Sequence, residues 1–260
     1  MAKAIFDYWF VQNADKKWER RFISDWILSE KSGDWGKECI ENNYILEVSC
    51  IRGTDIPSLN GEAESKPPTR YILRKNNSKI LVENDLIVEI SGGSPTQSTG
   101  RMTVITKDTL NRFKNPLICS NFCKAITLKE KDNLFYFAYL WQHLYDNNFF
   151  FGYEGKTSGI KNFLFNNFVN SYYSNVPSKE TIERFNTIMQ PLYSQKQKLL
   201  LENQHLTQLR DWLLPMLMNG QVSVNYHLSK VYICIRIISD FLLYSYSNKK
   251  SFVLFLSDSC

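Results

Sequence analysis

The sequence is 260 residues long, which at roughly 100–200 residues per domain allows one large domain, or one domain with an appendage, and nothing larger. Hydrophobic residues make up 43% and charged residues 22%, so a disordered or fibrous chain is excluded. The 31 basic and 26 acidic side chains leave a net charge of +5, too small by itself to identify a polyanionic partner. The first segment, Ala2 to Gln12, places Tyr8, Trp9 and Phe10 at helical spacing and reads as core packing rather than a base-stacking surface. Met1 to Val11 contains Asp7 and no small-residue cleavage site, so no export signal is expected and the cytoplasm is the expected compartment.

The middle of the chain alternates short β-branched and aromatic runs with turn formers. Strands are predicted near Tyr44 to Ile51, Tyr71 to Arg74, Leu86 to Ile90, Met102 to Thr106, Phe122 to Ile126 and Phe163 to Val169. Between them lie glycine-rich connections at 91–100 and 154–159, whose glycines read as tight turns requiring positive φ. One helix interrupts the strands, capped by Asp132, with Phe135, Ala138, Tyr139, Gln142 and Tyr145 forming its stripe. Charge is uneven along this block: Ser91 to Lys131 carries Arg101, Lys107, Arg112, Lys114, Lys124, Lys129 and Lys131 against only Asp108 and Glu130.

After Pro177 the period changes to that of a helix. Ser178 is a good N-cap, and Glu180 and Glu183 favour the positive end of the helix dipole. Ile182, Phe185, Met189, Leu192, Leu199, Leu206 and Leu213 follow a heptad register, with polar Lys196, Asn203 and Arg210 at the accompanying a positions. Pro191 predicts a break, giving a short helix to Gln190 and a longer one to Leu214, ended by Pro215 and Gly220. The fold class is therefore α+β: one β-rich domain followed by a long helix of coiled-coil type. Beyond it, Val231 to Tyr246 is apolar but carries Arg236 and Asp240, too short and too charged to span a membrane.

Several kinds of chemistry are missing. The six cysteines, at 39, 50, 119, 123, 234 and 260, and the histidines at 143, 205 and 227 have no zinc-ligand spacing and no readable disulfide framework. No phosphate-cradling G-x-x-x-x-G-K-[ST], no G-x-G-x-x-G and no G-x-S-x-G elbow occurs. Asn115 to Ile118 resembles the N-P-P-[FY] tetrapeptide of amino-methyltransferases only superficially, and Pro116 reads as a strand-entry residue.

Seven segments in order along the chain point to a family: A-K-A-I-F-D-Y-W-F-V-Q at 2–12, S-G-D-W-G-K-E at 32–38, C-I-R-G-T-D-I-P at 50–57, V-E-I-S-G-G-S-P-T-Q-S-T-G-R at 88–101, C-S-N-F-C-K-A-I at 119–126, Y-E-G-K-T-S-G-I-K-N at 153–162 and E-N-Q-H-L-T-Q-L-R-D-W-L-L-P-M-L-M-N-G-Q at 202–221. Together they resemble the specificity (S) subunit of type I restriction-modification systems. The resemblance implies a non-catalytic reader of double-stranded DNA. In the family, two target recognition domains separated by antiparallel spacer helices each read half of a bipartite site. Methyltransferase (M) subunits and restriction (R) subunits assemble on that scaffold, so S-adenosylmethionine and ATP are expected on partner chains and no cofactor on this one.

On this reading residues 1–16 are the remnant of a first spacer helix, 17–177 a target recognition domain, 178–222 spacer helices and 223–260 an atypical tail without assigned role. With one recognition domain, the chain looks like a half subunit. Its spacer helix would pair with a partner in trans, including a second copy, through Leu192, Leu199, Asn203, Leu206 and Leu213. Arg suits bidentate bonds to guanine, Asn or Gln to adenine, and Lys, Ser and Thr suit phosphates. Those residue types in the family-like turns make Arg52, Thr54, Asp55, Ser94, Gln97, Thr99, Arg101, Asn121, Lys124, Lys156, Thr157, Ser158 and Lys161 the DNA-contact candidates. For Arg52 and Asp55 an internal ion pair or turn cap is an equal alternative. Arg101→Ala is expected to weaken binding without unfolding the domain. The competing class is a coiled-coil adaptor or scaffold whose β-rich domain binds protein.

Overall fold

The computed structural model describes residues 1–94, 96–157 and 159–221; Ser158, the apolar stretch Val231 to Tyr246 and the rest of the 223–260 tail lie outside the described residues. The chain is α+β and divides at Leu199, with Met1–Leu199 forming one compact unit and a second starting at Leu200.

At the centre is a four-stranded antiparallel sheet with the order Ile27–Ser32, Cys123–Leu128, Asp85–Glu89, Met102–Val104. Side chains on a strand point alternately to opposite faces, so Leu86 and Val88 join one core and Ile87 another. The first core lies between the sheet and the helix Leu134–Asp146 and is dense in aromatic rings. The second lies between the sheet's other face and Ile51, Ile56, Leu59, Leu117 and Cys119. A three-stranded sheet, Thr69–Leu73, Tyr44–Ile51 and Leu117–Cys119, follows, with the last pair parallel and Pro116 leading into it. Two smaller sheets pair Glu19–Phe22 with Tyr173–Val176, and Glu154–Thr157 with Ile160–Phe163 and Ser91–Gly92.

Several expectations are corrected. Phe163 to Val169 is the end of one strand followed by the helix Phe165–Ser171. Glu154 to Gly159 is a strand running into a hairpin tip. Gly159 has positive φ there, whereas Gly92, Gly93 and Gly155 do not. Asp132 sits in the 3-10 turn Lys131–Asn133 and caps nothing; its carbonyl accepts a hydrogen bond from Asn186. The helix it precedes turns Leu134, Phe137, Trp141 and Leu144 inward at spacings of three and four, leaving the expected Ala138, Gln142 and Tyr145 on the flank. That helix is apolar nearly all round, so periodicity alone could not select its buried face. Among the described residues Cys50, Cys119 and Cys123 are buried free thiols, and burial pushes all three pKa values up, to about 12 for Cys50 and Cys119, which makes them poor nucleophiles.

The helix Lys179–Met218 starts where expected, with the Ser178 hydroxyl accepting from the Thr181 N–H. It does not break at Pro191 or stop at Pro215, and it ends before Gly220, which has positive φ. A proline inside a helix costs about 3 kcal/mol. At Pro191 the local cost is overridden by the helix face turned away from the exposed proline, where Phe185, Met189 and Tyr193 are buried in the first core and Ile182 is buried too. Deeper along this face Gln197 is buried, accepting from Arg112 at 2.7 Å and donating to the Leu59 carbonyl. Beside it Lys196 lies over the Tyr193 ring at 4.0 Å.

Burial pulls the Lys196 ammonium down to about 8, with Glu62 opposing and Arg112 adding to the effect. The folded pKa lies below the unfolded one, so the folded chain binds fewer protons between the two. The penalty is full below about pH 8 and is relieved as pH rises toward the unfolded value. Lys196→Met is expected to stabilise the protein at pH 7 by about 1–3 kcal/mol in urea unfolding. The difference from wild type should shrink between pH 8 and 10. It has to be read as a difference, because the buried thiols, with folded pKa values above the unfolded ones, lower the stability of both proteins as pH rises past 9.

Candidate nucleic-acid interface

The register of the central sheet decides which loops meet. Glu89 pairs with Cys123, Val88 with both Lys124 and Met102, and Ser32 with Lys124. The end of Asp85–Glu89, the start of Cys123–Leu128, the start of Met102–Val104 and the end of Ile27–Ser32 therefore lie at one edge. From that edge emerge the Ser91 to Arg101 segment and the Asn121–Phe122 turn. The Arg52–Gly53 turn and the Ile160–Phe163 strand reach the same place by contact with Glu89 and with Ser91–Gly92. Four of the family-like segments, spread from residue 50 to residue 162, thus converge.

Buried carboxylates hold them there. Glu89, almost fully buried, receives Arg101 in a two-pronged ion pair, Nε to Oε2 at 2.8 Å and Nη2 to Oε1 at 2.6 Å. This pairing is the main cause that raises the Arg101 pKa. A Cβ on Gly53 would sit 2.5 Å from the same Glu89 Oε1, so the Arg52 turn can approach only because residue 53 has no side chain. Asp55, with no exposed surface, accepts from the Arg52 backbone N–H, from Arg52 Nε and Nη2, each at 2.9 Å, and from the Ser65 hydroxyl. Burial pushes the Asp55 carboxyl up, but these donors outweigh it and hold the pKa below the usual value.

Glu154 links two segments. Its Oε1 accepts from the Thr99 N–H at 2.8 Å and from the Ser98 and Thr99 hydroxyls at 3.1 Å, and Lys161 Nζ lies 3.2 Å from Oε2. Burial raises this carboxyl and the four donors lower it further, so the net shift is downward. Lys161 also donates to the Gln97 carbonyl at 3.3 Å, and Ser91 to Asn162 at 2.6 Å. The Gly100 carbonyl, where φ is +96°, accepts from the buried Trp141 indole at 2.7 Å.

Twelve of the thirteen candidates lie in the described residues, and those whose side chains are described fall into two groups. Asp55, Thr99, Arg101 and Lys161 are engaged inside the fold, and Arg101 and Lys161 do not stand free at the surface as the sequence suggests. Thr54, Gln97 and Asn121 are exposed, and Ser94 is half-buried with its hydroxyl accepting the Gln97 N–H. Arg52 keeps 40% of its side chain exposed while paired to Asp55. Lys124 pairs with Glu30 at 2.6 Å over the Phe165 ring. Lys156 and Thr157 occupy the strand leading to the hairpin tip, directly opposite the Lys161 and Ile160 positions. Sequence reasoning missed Glu89 and Glu154. The two acids give no signal because their partners are chosen by strand register rather than by position in the chain. Among the proposed interface residues of the helix, Leu192 packs partly against the first core, Leu199, Asn203 and Leu206 are exposed, and Leu213 is half-buried. Among the described residues no cluster suits a metal ion, and no helix is long and apolar enough to cross a membrane.

No protein-family model matches the sequence, and no curated relative does. Solved structures are similar to it in fold. The S subunit of a type I restriction-modification system from M. genitalium matches with a TM-score of 0.45 at 14% identity, over 89% of this chain and 50% of that one. A chain from a type I R-M system studied for complex assembly and conformational transition matches at 0.45 and 12%, over 83% and 51%. The HsdS subunit from Thermoanaerobacter tengcongensis matches at 0.42 and 13%, over 78% and 44%. This chain spans about half the length of each.

Proposed function

We propose that this chain is the sequence-recognition part of a type I restriction-modification system, a non-catalytic reader of double-stranded DNA that binds one half of a bipartite target. One observation carries the reading: the polar segments at 50–57, 88–101, 119–126 and 153–162, which bear the sequence resemblance, meet at one edge of the central sheet around Glu89 and Glu154. Buried carboxylates fix these loops in one arrangement, which suits a reading surface, since a preorganised contact loses less entropy on binding.

The division of labour follows from exposure. Arg52, Thr54, Ser94, Gln97, Asn121 and Lys124 are the groups that reach DNA, and Lys156 and Thr157 join them by their place on the Glu154–Thr157 strand. Asp55, Thr99, Arg101 and Lys161 position them. M and R subunits are the partners, bringing S-adenosylmethionine and ATP, and a second copy of the chain pairs through the exposed leucines of the helix to complete a two-part reader. The test is anisotropy with labelled random-sequence duplex DNA. With roughly four phosphates contacted, affinity is expected to fall about a hundredfold between 50 and 200 mM salt. A flat response would remove the electrostatic contact with DNA, and sedimentation of the same sample distinguishes monomer from dimer.

A further inference from the structure

Phe122 is 54% exposed, yet its backbone is hydrogen-bonded in place. Its carbonyl accepts two N–H bonds, from Ile90 at 2.8 Å and Ser91 at 3.1 Å. The turn it belongs to is closed by Cys123 N–H to Ser120 carbonyl at 2.9 Å and tied to the neighbouring sheet by Ser120 N–H to Ile51 carbonyl at 2.8 Å. Gly33 packs so closely beneath that a Cβ there would lie 1.9 Å from the Ser120 carbonyl oxygen. Three separate stretches of chain thus immobilise a turn that presents a phenyl ring to solvent between Asn121, also exposed, and Lys124.

The exposed ring contributes nothing to the hydrophobic clusters, since Phe122 belongs to none of them, and it forgoes the gain that burial would bring. Its position at the meeting point of the four polar segments gives the occupant: apolar side chains contact thymine methyls or wedge between base steps where flanking amides and cations hold the duplex. We infer that Phe122 is a specificity-determining residue that makes direct apolar contact with a base of the bound duplex. The inference rests on the DNA-recognition reading above and deepens it, assigning one base position to one ring.

The experiment is selection from a random-sequence duplex pool by the full chain, followed by sequencing. Wild type is expected to enrich a motif. Phe122→Ala, with an unchanged circular dichroism spectrum, should bind the unselected pool within about threefold of wild type with the same salt slope, while enrichment falls about tenfold at one or two adjacent positions of the motif. Phe122→Leu keeps an apolar bulk without the ring, and should shift the preference at those same positions; it serves as the reading if the alanine variant fails to fold. The wild-type motif recovered at full strength from the folded variant overturns the role of Phe122 and leaves the DNA-recognition reading standing, including the case in which the ring instead docks a protein subunit. A wild-type chain that binds duplex but enriches no motif overturns the base contact, whereas one that binds no duplex at all overturns the DNA-recognition reading beneath it.

Discussion

Arg101→Ala is expected to destabilise the domain by about 3–5 kcal/mol, the cost of leaving one member of a buried ion pair without its partner. Glu89 is 3% exposed, and both of its carboxylate oxygens are engaged by Arg101. The sequence alone predicts a different outcome for this substitution, a weaker DNA contact on an intact fold, because an arginine in a glycine-rich loop reads as a free cation. The two outcomes separate in urea unfolding: a midpoint unchanged from wild type would return Arg101 to the DNA surface. Replacing both partners, as in the pair Glu89→Leu with Arg101→Met, is expected to cost less than Arg101→Ala alone, since no buried charge is stranded. On the proposed DNA-reading function, affinity for DNA should also be lost in Arg101→Ala through the displaced 91–101 segment, even at temperatures where the domain remains folded.

Phe185→Ala is expected to cost a further class of stability, about 3–5 kcal/mol, by opening a cavity where the long helix meets the domain. The Phe185 ring is fully buried, 5.0 Å from Phe10 edge-on, 5.9 Å from Tyr139, 6.1 Å from Trp9 and 6.2 Å from Phe6. The beginning of the helix and the segment Ala2 to Gln12 therefore act as parts of the domain's own core. A protein truncated after Pro177 should fail to give a cooperative unfolding transition, and one truncated after Leu199 should retain it. Cooperative unfolding of the shorter form at wild-type temperature would show that the helix only rests against the domain.

Much of the fold is legible along the chain. Tyr44 to Ile51 is a strand with the predicted bounds, and the Asp85–Glu89, Met102–Val104 and Cys123–Leu128 strands fall within a few residues of the expected ones. In the three central-sheet strands the β-branched residues are mostly buried, so propensity and packing agree, whereas Tyr44 to Ile51 is buried only in its second half and leaves Ile45 exposed. The strands missed, such as Glu19–Phe22 and Glu154–Thr157, are polar and owe their form to pairing, with partners 151 to 157 residues away in the first case and 3 to 9 in the second, rather than to their own composition. The heptad leucines divide at Leu192: before it the stripe faces the domain's own core, and at Leu199 and Leu206 it is open to solvent. Periodicity marks an apolar face but carries no label for what covers it.

By itself the sequence determined the α+β class, three of the four central strands, the start of the long helix, the absence of nucleotide and zinc motifs, and the turns in which polar side chains gather. Only the tertiary structure decided what those side chains do. Arg101, Thr99 and Lys161 are of the residue types that bind DNA, yet their partners Glu89 and Glu154 lie 12, 55 and 7 positions away and are chosen by strand register. A hydrogen-bonding group bonds the nearest complementary atom in space, and that neighbour is fixed by the folding of the whole sheet. The continuity of the helix through Pro191 has the same origin, since the burial of Phe185, Met189 and Tyr193 outweighs a local preference that the chain alone states clearly.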